Sequence, residues 1–152
     1  MWTNETRITA DEEETFAFGV ELGKKLSAAR PASCFTVFLE GELGAGKTHF
    51  VKGLAAGLGI SPSEVNSPTF TLVNEYPFDR GALWHLDLYR LPEGGDIADA
   101  LGLAELLDRS GVMAIEWSER LGAQAWKPDA RIAFHVADDD RREISVRVAE
   151  AS

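Results

Sequence analysis

Cys34-Phe35-Thr36-Val37-Phe38-Leu39, then Glu40, then Gly41-Glu42-Leu43-Gly44-Ala45-Gly46-Lys47-Thr48 is the stretch that decides the fold. The first six residues form an unbroken apolar run, as expected of a strand buried on both faces. The next eight satisfy G-x-x-x-x-G-K-[ST] in full. With this composition and length, chance supplies such a match in about 0.5% of chains. Glycines let the backbone turn tightly and aim successive N–H groups at one anion. The helix that follows, through Phe50, Val51, Leu54 and Leu58 to Gly57 or Gly59, adds the partial positive charge of its N-terminus. Gly41, Glu42, Leu43, Gly44, Ala45 and Gly46 are therefore the expected nucleotide-binding loop. Lys47 is expected to reach the β- and γ-phosphates, and the Thr48 hydroxyl to hold Mg²⁺. A glycine-rich turn without a ligand would leave Lys47 and Thr48 unexplained.

Outward from this loop the chain alternates strand and helix. Thr9, Asp11 and Glu12 read as a helix start, with an amphipathic helix to about Ala29 that carries Phe16, Val20 and Leu26 on one side. Pro31 stops it. Ser67-Pro68 opens a strand from Thr69 to Tyr76, and Ala82 to Leu88 reads as another. Ala100 to Asp108 is expected to be helical, before the short buried strand Val112-Met113-Ala114-Ile115. Ile132 to Val136 and Ile144 to Val148 alternate around Asp138-Asp139-Asp140, which predicts a terminal antiparallel hairpin. The expected architecture is α/β: a single phosphate-loop domain over residues 1–152, with a central mostly parallel sheet and helices on both faces.

Two acids compete for the metal, because a phosphate-loop enzyme needs a carboxylate at the end of a buried strand. Asp87 ends Ala82-Leu83-Trp84-His85-Leu86, and Glu116 ends Val112 to Ile115. In an open α/β sheet both would lie outside the carboxyl ends of strands, where ligands bind. Each reads as metal anchor or as the group that positions the attacking water, with a solvated strand-end acid as the plainer alternative. His85 shares a strand face with Asp87 and is either its hydrogen-bond partner or a packed histidine. Arg90 pairs with phosphate or with a neighbouring acid, and Tyr89 reads as core. Trp117 follows Glu116, beside the site or in the core. Thr69 in Ser67-Pro68-Thr69 is a candidate sensor of the γ-phosphate, with a plain turn nearly as good a reading. Arg141 and Arg142 read as hairpin residues.

Composition narrows the partners. The 152 residues hold 15 Lys+Arg and 25 Asp+Glu, a formal net charge of −10. Residues 1–76 carry a net of −4 and residues 77–152 a net of −6, so no basic tail is hidden. Such a chain is a poor holder of nucleic acid, whose affinity comes mainly from Lys and Arg on phosphates, and a poor ligand for an anionic membrane. No apolar run nears the ~20 residues of a membrane span. Neither a signal-peptide start nor a second cysteine beside Cys34 is present, so a cytoplasmic protein without disulfides is expected. Cys34 reads as a small buried strand residue.

The segments in order resemble the bacterial TsaE (YjeE) family of small ATPases. The resemblance is carried by Leu39 to Thr48, by Asn66-Ser67-Pro68-Thr69-Phe70-Thr71-Leu72-Val73-Asn74-Glu75-Tyr76, by His85-Leu86-Asp87-Leu88-Tyr89-Arg90-Leu91 and by Ile115-Glu116-Trp117-Ser118-Glu119. It spans roughly residues 8–120. It implies a role in the threonylcarbamoyladenosine modification beside the anticodon of tRNA. It further implies slow ATP hydrolysis in concert with TsaB and TsaD, with TsaC making the activated intermediate and tRNA met only indirectly. By the same resemblance Lys47 and Thr48 bind nucleotide and Mg²⁺, Asp87 and Glu116 are the acids of the site, Trp117 lies beside it, and Ser67-Pro68-Thr69 matches a switch-like segment. His49 after the GKT, Glu42 in the loop, and the stretch Pro92 to Asp96 depart from the family pattern. They bear on partner contact rather than on the nucleotide site. Competing readings are a small-molecule kinase, for which no acceptor-binding segment stands out, and a nucleotide-dependent binding module without turnover. A GTPase lacks its guanine motif here, since none of the five lysines lies in Asn/Thr-Lys-x-Asp.

Overall fold

The computed structural model describes residues 1–29, 33–42, 44–61, 63, 73–79, 81–88, 105, 108–118 and 127–149. Its strands are β1 (Glu5–Thr9), β2 (Phe35–Glu40), β3 (Val73–Phe78), β4 (Gly81–Asp87), β5 (Gly111–Glu116), β6 (Ala130–Val136) and β7 (Arg142–Val148). Two helices, α1 (Glu12–Ala29) and α2 (Lys47–Gly57), complete the described elements. The strands form one sheet in the order β1-β7-β6-β2-β5-β4-β3. Parallel pairing joins β6, β2, β5 and β4 at the centre. The edges are antiparallel: β3 on β4, β7 on β6 and β1 on β7.

β2 sits at the centre because both of its sides are apolar. Val37 and Leu39 enter one core with Phe18 and Leu22 of α1 and Phe50 and Leu54 of α2. Phe38, between them, enters the opposite core with Trp84, Leu86, Met113 and Ile115. This is the period-two alternation of a strand with both faces covered. The strands expected at Ala82–Leu88 and Val112–Ile115 and the terminal hairpin all form, within a residue or two of their expected limits. The strand expected from Thr69 begins, among the described residues, at Val73. The helix expected over 100–108, the Ser67-Pro68-Thr69 segment, Leu43, Pro31, Tyr89, Arg90 and Pro92 to Asp96 lie outside the described residues.

The N-terminus corrects the sequence reading twice. Thr9 ends β1 rather than capping α1. Asp11 is the cap: its Oδ1 accepts the Glu14 backbone N–H at 2.9 Å, the usual bond from cap to third helical residue. β1 itself escapes hydrophobic patterning because its inward side is polar. Ile8 is 57% exposed, while Arg7 lies 4.3 Å over the Phe18 ring and donates to Glu21 of α1 at 2.8 Å. The buried face of α1 also differs from the expected one, being Thr15, Phe18, Gly19, Leu22, Gly23 and Leu26, with Phe16 and Val20 at its margin.

α1 packs on α2 through four glycines. A Cβ on Gly19 or Gly23 would overlap the carbonyl oxygens of Phe50 or Leu54, and one on Gly53 or Gly57 those of Phe16 or Val20. The two helix backbones therefore touch directly, and α2, which begins at the phosphate loop, has no room to shift away from α1. In an open helix Gly→Ala gains about 1 kcal/mol of propensity. At Gly53 the overlap decides the sign, since overpacking costs about 1–3 kcal/mol. Gly53→Ala should lower the urea midpoint at unchanged slope. An unchanged or raised midpoint would show that the helices separate freely.

Cys34 is buried, one residue before β2. Burial, and then the negative charge of Asp129, push its thiol up to about 11. The native protein should therefore resist DTNB at pH 8 and react fully once unfolded. Rapid labelling of the native state would contradict this burial.

Candidate functional site

β2 delivers the chain to the loop at Gly41. This residue has φ 148°, and a Cβ there would press on the Phe134 carbonyl of β6. Gly44 (φ 82°) and Gly46 (φ 102°) take left-handed conformations that favour glycine. Gly46 is also the N-cap of α2 and offers no side chain to the first-turn N–H groups. The first turn of α2 carries no acid. The N-terminus of an 11-residue helix is thus left open at the end of a glycine loop, the arrangement that receives an anion.

Lys47, 5% exposed, points back into the loop. Its Nζ donates to the Gly41 carbonyl oxygen at 2.7 Å and lies 3.8 Å from Glu116 Oε1. It also lies 5.0 Å from the centre of the Trp117 ring. Trp117 itself has φ 60°, a left-handed conformation that costs an ordinary side chain about 1–2 kcal/mol. It is held there immediately after Glu116, with its ring against the lysine.

Register brings the two candidate acids together. Leu39 of β2 is level with Glu116 of β5, and Glu116 is level with Asp87 of β4. All three strands end at the same rim, the carboxyl edge of the parallel sheet. Glu116 is buried and Asp87 half-buried. His85, fully buried, places Nε2 2.6 Å from Glu116 Oε2. The histidine read either as a partner of Asp87 or as a packed strand residue is thus bonded to Glu116, across the strands.

A cleft of about 410 Å³ collects Gly44, Gly46, Lys47, Thr48, Asp87 and Glu116. Of the residues expected in the site, Ala45 is buried beneath the loop. Gly41 contributes its carbonyl, and together with Glu42 and Trp117 it lines a second cleft of about 490 Å³. The first cleft also takes residues that the sequence read only as a helix start and a hairpin turn, together with Thr15. Asp11, Glu12 and Thr15 come from the start of α1, and Asp140 and Arg142 from the terminal hairpin. His49 Nε2 lies 3.3 Å from Glu12 Oε1, which ties this rim to α2. Arg142 is a hairpin residue, as read, but its guanidinium also donates to the Gly44 carbonyl at 3.3 Å. The Arg142–Gly44 contact spans 98 residues of sequence, and no local signal announces it.

The profile of the family described as "Threonylcarbamoyl adenosine biosynthesis protein TsaE" matches residues 9–144. A tRNA threonylcarbamoyladenosine biosynthesis protein TsaE from Aquifex aeolicus is 39% identical over 141 residues, covering 91% of this chain and 92% of that protein. The protein of the same name from Bacillus subtilis is 42% identical over 139 residues, with 90% and 81% covered. The crystal structure of Bacillus subtilis YdiB superposes with a TM-score of 0.70 at 34% identity, covering 98% of this chain and 88% of that one. The family match takes in the loop and the two acids and ends three residues into β7, and the chain belongs to the TsaE family, whose role is in threonylcarbamoyladenosine biosynthesis.

Proposed function

We infer that this chain binds ATP with Mg²⁺ in the cleft at Lys47 and hydrolyses it slowly, in support of threonylcarbamoyl transfer to tRNA by partner proteins of the TsaB and TsaD type. The observation that carries this reading is the pairing of buried Lys47 with buried Glu116 across an open helix N-terminus. A lysine held there has polyphosphate as its natural ligand, because the loop N–H groups and the helix dipole act on the same anion.

The donor set fits a hard divalent cation. Thr48, Asp87 and Glu116 line one cleft and offer only oxygen. Among the described residues no three His, Cys, Asp or Glu side chains form a metal cage. Mg²⁺ is commonly held this way, by one or two protein oxygens with phosphates and water completing its shell. When bound it neutralises charge developing on the phosphate oxygens. The cleft also carries five carboxylates, from Asp11, Glu12, Asp87, Glu116 and Asp140, against the cations Lys47 and Arg142. That balance repels bare polyphosphate and favours the cation-bearing form.

The residues divide the work. Lys47 exchanges Gly41 and Glu116 for phosphate oxygens. The backbone of Gly44 to Gly46 would cradle those oxygens, and Thr48 would hold the metal. Asp87 and Glu116 share metal anchoring and orientation of the attacking water. Direct holding of tRNA does not suit a chain of net charge −10. The surplus carboxylates suit a basic face on the partner complex instead.

Lys47→Ala should weaken ATP binding about 10- to 100-fold, as befits one lost charge-assisted hydrogen bond of about 1.5–3 kcal/mol. Asp87→Ala and Glu116→Ala should cut turnover more than binding, by about 10²–10³. The assay is ATP turnover of the protein alone, with cognate TsaB and TsaD, and with tRNA added. Normal partner-stimulated turnover in either acid variant would remove that acid from the mechanism. Association with the partners should also weaken steeply between low and high salt. An interaction indifferent to salt would exclude the acidic surface as its basis.

A further inference from the structure

We propose that His85 is the positioning residue of the site, holding the Glu116 carboxylate so that Oε2 is bound inward and Oε1 is presented to Lys47 and the cleft. The proposal rests on the nucleotide-hydrolysis reading for its consequence, but its geometry stands apart from it.

His85 is 0% exposed in the middle of β4, where a packed apolar residue would be ordinary. Its Nε2 approaches Glu116 Oε2 at 2.6 Å, within the range of a short charge-assisted hydrogen bond. A carboxylate only accepts, so Nε2 carries the hydrogen. Nδ1 is buried and has no hydrogen-bond partner among the described residues. The geometry thus places on Nε2 the ring hydrogen that meets Glu116. With Lys47 Nζ 3.8 Å from Oε1, both carboxylate oxygens have assigned partners and different environments.

The consequence concerns which oxygen can act. Rotating the Glu116 carboxyl would exchange its oxygens and break the 2.6 Å bond inside the sheet. Lys47 can leave Oε1 for a phosphate at no such cost, since that contact is a looser 3.8 Å and both residues line the cleft. His85 never needs to touch nucleotide. It fixes the acid that would anchor the metal or orient the water, as hydrogen-bonded neighbours fix ligand groups at metal sites.

The test has a part independent of turnover. In the nucleotide-free wild-type protein, nitrogen-15 NMR should show a hydrogen on Nε2 of His85, with this Hε2 proton shielded from solvent exchange. An Nδ1–H tautomer, or a freely exchanging Hε2, would overturn the proposal without recourse to any variant. His85→Phe should then lower kcat in the partner-stimulated assay about 10- to 100-fold and leave the KM for ATP within about twofold. It should also weaken Mn²⁺ binding to the ADP complex, read by EPR, by about tenfold. His85→Gln, whose amide can donate to Oε2, should recover most of both. Equal losses in the two variants, or none in either, would make His85 a packing residue. If the wild-type protein shows no turnover with its partners, the ATPase reading falls, and the tautomer and Mn²⁺ measurements still decide the role of His85.

Discussion

The site depends on keeping one ammonium group out of water. Taking such a charge into a protein interior costs several kcal/mol unless partners replace its hydration. Lys47, at 5% exposure, receives three: the Gly41 carbonyl, the Glu116 carboxylate and the face of Trp117. They come from two places in the chain. Gly41 follows β2, Glu116 ends β5, and Trp117 lies one residue further in a left-handed conformation. Glu116, buried in turn, is compensated by Lys47 on one oxygen and His85 on the other. The loop, the sheet and the β4 interior are thereby coupled through a buried run of polar groups.

Sheet register makes this arrangement possible. β2 lies between β5 and β6, and pairing Leu39 with Glu116 sets the acid beside the strand that feeds the loop. The glycine contacts between α1 and α2 fix the other side, since backbone against backbone leaves α2 no slack. A displacement of α2 by the width of one methyl group would carry Lys47 with it. The fold thus supports the loop from both ends, by strand register before it and by helix packing after it.

What the sequence disclosed follows the range of the interactions involved. The loop from Gly41 to Thr48 was legible because its chemistry lies in eight consecutive residues. β2, β4, β5 and the terminal hairpin were legible because burial imposes a pattern on each strand separately. β1 was not, since its inward residues are Glu5, Arg7 and Thr9 and its apolar Ile8 faces outward. Gly19, Gly23, Gly53 and Gly57 look like unfavourable helix residues until the two helices are placed together. Arg142 reaches the loop only through the packing of β7 beside β6 and β6 beside β2.

Asp87 and Glu116 show most clearly where local reading stops. Each ends an apolar strand, and nothing in either segment ranks one above the other. The structure puts them level on adjacent strands and then makes them unequal. Glu116 is buried, with a histidine on one oxygen and a lysine near the other, while Asp87 is half-buried at the cleft wall. The difference comes from neighbours across the sheet: β5 is flanked by β2, which leads to Lys47, and by β4, which supplies His85. Asp87 ends β4, one strand further from the loop. Two acids alike in sequence become different chemical groups because strand order gives one of them the central position.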